Sequence, residues 1–128
     1  MTLNTLVFWG VFGLLVELCF TAVRDLIQKR ELNLVGHTSL WMFPIYALGL
    51  TYGFDFVIAT IELDWLRYST YPLLIWCVEL VVGIPVLYMG IRLWNYNYLP
   101  AWLHWRGIIS FAHYPLWFGF GIMVEMIK

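Results

Sequence analysis

Four acids stand inside otherwise apolar runs of this chain: Glu17, Asp55, Glu79 and Glu125. A charge at mid-membrane depth costs at least about 2.5–3.5 kcal/mol, so it is rare there and turns toward protein, water or a ligand. Glu17, Thr21 and Arg24 recur at i, i+4 and i+7 and share one helical face, with Asp25 beside it. Glu17 and Arg24 are separated by about 10 Å of helical rise, a gap that Thr21 or water can bridge. Glu79 and Gly83 stand at i, i+4, which sets a small residue beside an acid and lets another helix approach. Pro85 follows and predicts a kink. His113, Trp117 and Gly121 repeat the i, i+4, i+8 spacing in the last apolar run.

Carboxyls in such places have several uses. They attract a proton, a cation or a polar solute. Two in one low-dielectric pocket can divide into general acid and general base, and Glu17 and Glu79 are the candidate pair. Tyr46, Tyr96 and His113 would then be accessory proton donors. Equally, the acids can pair with Arg24 or Arg92 to hold helix register, or stay protonated and hydrogen-bonded. His113 on its own reads as a core or interfacial histidine. The candidate ligand-binding set is Glu17, Thr21, Arg24, Tyr46, Glu79, His113, Trp117 and Glu125.

The segment VGHTSLW (35–41) precedes the second apolar run. Gly36 breaks the local structure, and Thr38 or Ser39 can cap the helix that follows. A helix start also offers free N–H groups to an anion, such as a lipid phosphate. Thr38, Ser39, Arg92 and Arg106 are thus the candidate headgroup or anion contacts. The chain has no P-loop, Rossmann glycine pattern, H-E-x-x-H or nucleophile elbow. Neither a nucleotide, a cofactor nor a metal is expected.

The elements that must position these residues follow from composition. Of 128 residues, 62% are hydrophobic, 20% aromatic and only 12% charged. Mean hydropathy is +0.80. A soluble domain runs near 45–50% apolar and about 25% charged. These values exclude a water-soluble globular enzyme, a disordered regulator and, with a net charge of −1, a nucleic-acid binder. Cys19 and Cys77 each sit within an apolar run and read as small buried residues. The first apolar run lacks a basic n-region and a cleavage site, so it is expected to be retained as a span.

A bilayer core needs about 20 mostly apolar residues per helix. The expected class is all-α: a polytopic membrane protein, one domain over 1–128, with spans near 6–26, 40–61, 71–93 and 108–127. Residues 94–106, rich in Trp and Tyr and containing Pro100, are expected along the membrane interface as a short amphipathic segment. Arg24, Lys29, Arg30, Arg92 and Arg106 lie near one set of span ends; Arg67 and Lys128 lie near the other. This bias places both termini outside an inner or plasma membrane.

Several pieces recur together in one order: Glu17 with Phe20-Thr21-Ala22, Gly36-x-Thr38-Ser39-x-Trp41, Ile45-Tyr46, Glu79-x-x-x-Gly83, Trp94-x-Tyr96, Gly107-Ile108, Trp117-Phe118 and Glu125. In this the chain resembles the small four-span family that includes transmembrane protein 229 of animals and bacterial proteins labelled type IV ABC-transporter permeases. The sequence departs where a glycine is expected after Tyr46 and Ala47 stands instead, where Asp55 and Glu62 are both candidates for one acid, and at His113. The resemblance implies that the buried acids and the Gly-Thr-Ser-Trp segment are family features. It implies little about activity, since no ATPase accompanies them here.

Three functions stay open. The first is a permease- or channel-like module, oligomeric because four helices enclose little space, that binds a cation, proton or small polar solute. The second is a membrane-embedded acid/base enzyme acting on a lipid or isoprenoid. The third is a non-catalytic subunit of a membrane complex. The lipid bilayer and a homo-oligomer or complex are the expected partners.

Overall fold

The computed structural model describes residues 2–128. The chain is mostly helical, with α1 (Leu3–Lys29), α2 (Met42–Thr60), α3 (Asp64–Tyr88) and α4 (Tyr114–Ile127). One antiparallel ladder pairs β1 (His104–Trp105) with β2 (Ile109–Ser110). The first three helices are long and apolar enough to cross a membrane. With 14 residues, α4 spans about 21 Å, short of a hydrocarbon core of about 30 Å. The chain divides into two compact units, one ending at Tyr52 and one covering Gly53–Lys128. The division falls in a π turn of α2, Gly49–Gly53.

In the first unit, Leu3, Val7, Val11 and Leu15 form an exposed apolar stripe along α1. The opposite side carries Gly10 and Gly13, where an added Cβ would run into the rings of Phe43 and Tyr46. These glycines let α2 pack closely on α1. The connection after α1 then runs back along the helix. Gly36 lies so close to the Leu18 carbonyl that a side chain there would overlap it. The Thr21 hydroxyl accepts from the His37 N–H at 2.8 Å and lies 3.0 Å from the His37 carbonyl. A backbone that leaves its helix forfeits ladder hydrogen bonds, and this side chain replaces them.

In the second unit, α3 and α4 pack through Gly121 against the Tyr71 ring. Phe54 stacks on Tyr71 with centroids 4.4 Å apart, and Phe120 meets Phe54 edge-on. Arg67 ties one end together. It bonds Glu125 on α4 at 2.5–3.0 Å, Asp64 at 2.6 Å and the carbonyls of Ile61 and Glu62. Lys128 pairs with Asp55 at 2.7 Å.

Several expected boundaries move. The third helix runs Asp64–Tyr88, not 71–93, leaving residues 61–63 as the whole connection from α2. It stops because Gly90 takes φ +78° and the Ile91 N–H bonds back to the Val86 carbonyl, a left-handed helix stop. The fourth apolar run, expected from 108, is helical only from Tyr114. Ile108, which closes the turn between the strands, and Ile109 and Ser110 of β2 are all buried, and their path is held by indole N–H bonds from Trp94 to the Ile108 carbonyl and from Trp76 to the Ser110 carbonyl. Residues 94–106 form no amphipathic helix; their only helical piece is the 3-10 turn Ala101–Leu103. Cys19 and Cys77 are exposed, not buried, because each falls on the outward face of its helix.

Candidate functional site: two glutamate–tyrosine pairs

Each unit contains one glutamate built into its first long helix in the same manner. Glu17 lies fourteen residues past the first residue of α1, and Glu79 fifteen past the first of α3. Both are thus about 21–22 Å along their own helix. The Glu17 carboxylate receives the hydroxyls of Thr38 and Tyr46. Glu79 receives the Tyr96 hydroxyl on Oε1 at 2.6 Å. In both, the second oxygen, Oε2, is buried and has no hydrogen-bond partner. Glu79 is only 8% exposed.

The connecting segments make these pairs. Thr38 reaches Glu17 although α1 continues twelve residues further, to Lys29, so the backbone returns about 18 Å along the helix. Tyr96 reaches Glu79 although α3 ends at Tyr88, nine residues on, a return of about 13 Å. Non-helical backbone at such depth in an apolar bundle is tolerated only where protein or a polar cavity surrounds it.

The other acids contrast with these two. Asp25 pairs with Arg24 at 3.1 Å and Lys29 at 3.5 Å. Asp64 and Glu125 share Arg67, and Asp55 has Lys128. Glu125 also receives the Tyr71 hydroxyl. Among the described residues neither Glu17 nor Glu79 forms an ion pair. Acids near helix ends are neutralised by basic side chains, and those in mid-helix are not.

The remaining expected site residues fall as follows. Thr21 holds the His37 backbone, and Arg24 turns to Asp25 and to His37 Nε2 at 3.4 Å rather than to Glu17. Thr38 does not cap α2, and neither does Ser39. The N-cap is Trp41 without a side-chain bond, and the Ser39 hydroxyl accepts from the Trp41 N–H at 3.3 Å. Arg92 reaches Asn95 Oδ1 at 3.4 Å and the Arg106 carbonyl at 3.3 Å, while the Arg106 guanidinium lies over Trp105. His113 is the N-cap of α4, in ring contact with Tyr96, Tyr98 and Trp117. The Trp117 indole N–H is buried without a hydrogen-bond partner. No cluster of three or more metal-ligating side chains occurs among the described residues.

Sequence reasoning missed Arg67 and Tyr71 as the partners of Glu125. A signal existed: Asp64 and Arg67 stand at i, i+3, which belongs to a helix, not a connection. The Tyr98 hydroxyl, 3.4 Å from His113 Nε2, was read only as part of the interfacial aromatic segment.

No family model matches the chain, and no solved structure matches it.

Proposed function

We propose that this chain is a small integral membrane protein of permease type, in which Glu17 and Glu79 reversibly bind a proton or small cation. The observation that carries this reading is the contrast among acids. Two carboxyls deep in apolar helices lack a basic counter-ion, yet each keeps one buried oxygen unmet. A buried carboxylate in that state must take up a proton or a cation from outside. The folded-back connections support the reading, since transport proteins place irregular backbone at the depth of their ion sites.

In this reading the fourth apolar run also crosses the bilayer, as a buried non-helical piece (108–110) followed by the short α4. Its backbone needs no water there, because the ladder and two indole N–H groups satisfy it. Trp102 and Trp105, exposed in the same connection, lie at the headgroup level, while Tyr96 turns inward to Glu79. The termini face outward, the working unit is an oligomer, and the chain belongs with the four-span family it resembles.

The test is flux. The purified chain, reconstituted into vesicles holding a pH-sensitive dye, should carry protons or alkali cations down an imposed gradient. Glu17→Gln and Glu79→Gln should each abolish that flux while leaving the protein folded. Wild-type vesicles as tight as empty ones under every such gradient would refute the proposal.

A further inference from the structure

Glu79 is buried, so any proton it exchanges needs a path. We propose that Tyr96, His113 and Tyr98 form the route by which Glu79 exchanges its proton with water. The inference rests on reading Glu79 as a protonatable site.

The residues form a graded line. Tyr96 is 7% exposed and donates directly to Glu79 Oε1 at 2.6 Å. Its ring lies against the His113 ring, centroids 5.3 Å apart. The His113 Nε2 is 3.4 Å from the Tyr98 hydroxyl, while Nδ1 is buried. Tyr98 is 37% exposed and belongs to the connection between α3 and α4, outside the candidate membrane spans. The line thus runs from a buried carboxyl to an exposed phenol through the one side-chain type that both gains and loses a proton near neutral pH.

The proton balance is simple. A protonated His113 gives its Nε2 proton to the Tyr96 oxygen through one water, which leaves Nε2 open toward the Tyr98 hydroxyl. Tyr96 passes its own hydroxyl proton to Glu79 Oε1 in the same step, so the phenol is unchanged. Glu79 becomes a neutral acid and His113 a neutral imidazole. His113 recovers a proton from water across the Tyr98 hydroxyl. Release runs the same steps backwards. Trp117, packed on His113 with centroids 6.1 Å apart, walls the ring but carries no exchangeable acid.

The experiment is a pH jump on the full chain in vesicles, followed by time-resolved infrared absorption of the protonated carboxyl. The Glu79 band is the one missing in Glu79→Gln. His113→Ala should slow its appearance by roughly 10²-fold, the contribution of a positioned proton donor, without moving the final amplitude. Added imidazole should restore the rate, which a purely structural histidine would not allow. Tyr98→Phe, a smaller change, should slow it in the same direction and serves if His113→Ala fails to fold. An unchanged rate in the folded His113 and Tyr98 variants overturns the route while leaving Glu79 a proton site. A wild-type Glu79 band that ignores pH overturns both.

Discussion

The Tyr96 hydroxyl donates to Glu79 Oε1 at 2.6 Å, although Tyr96 lies in the connection beyond the end of α3. The bond closes a loop of seventeen positions back onto mid-helix. It has the same form as the Tyr46 bond to Glu17 in the other unit. A phenol so placed satisfies one carboxyl oxygen and leaves the other, Oε2, buried without a hydrogen-bond partner.

Removing the phenol tests that division. Tyr96→Phe leaves both Glu79 oxygens buried without a donor and should destabilise the protein by about 1–3 kcal/mol. Glu79→Gln keeps an oxygen for Tyr96 to bond and should unfold close to wild type. In a double-mutant cycle by thermal unfolding in detergent, Tyr96→Phe should cost less in the Glu79→Gln variant than in the wild type.

The Arg67 clamp is expected to be structural. Arg67→Met strips Glu125 of its counter-ion and releases the Ile61 and Glu62 carbonyls. The unfolding midpoint should fall. Adding Glu125→Met should recover part of the loss, since an uncompensated buried charge is worse than an apolar pair. If the double variant is as unstable as the single one, the clamp matters for more than charge.

Close approach at Gly36 predicts an asymmetric glycine response. Gly36→Ala would push against the Leu18 carbonyl and should destabilise by about 1–3 kcal/mol. Hydrogen exchange at the His37 amide, held by Thr21, should speed up. Gly119→Ala meets nothing within 4 Å on α4 and should be neutral or stabilising by about 0.5–1 kcal/mol.

Cys19 and Cys77 report on the membrane. Both are exposed on outward helix faces, so in a bilayer both face lipid. The reactive species is the thiolate, which forms in water. Neither cysteine should react with a charged thiosulfonate in intact vesicles, and both should react after denaturation in SDS. Rapid labelling in sealed vesicles would mean these faces are wet.

The sequence by itself determined the helical class, the approximate position of each apolar run and the placing of Glu17 and Glu79 well inside theirs. These are local properties: run length and a residue's place within it are readable without neighbours. The boundaries of α3 and α4 were only half legible. Asp64 and Arg67 stand at helical spacing, yet the third run was read from 71, and the non-helical path of residues 108–110 depends on Trp94 and Trp76, 14 and 34 positions away. Local helix spacing pairs Asp25 with Lys29 and Asp64 with Arg67, but only tertiary structure decided what meets the deeper acids: Arg67 and Glu125 are 58 positions apart, and Tyr96 and Glu79 are 17. Polar connections read as surface strips because polarity normally seeks water. Here they fold back along their helices, because a deep carboxyl needs a donor and the nearest hydroxyls lie on those strips.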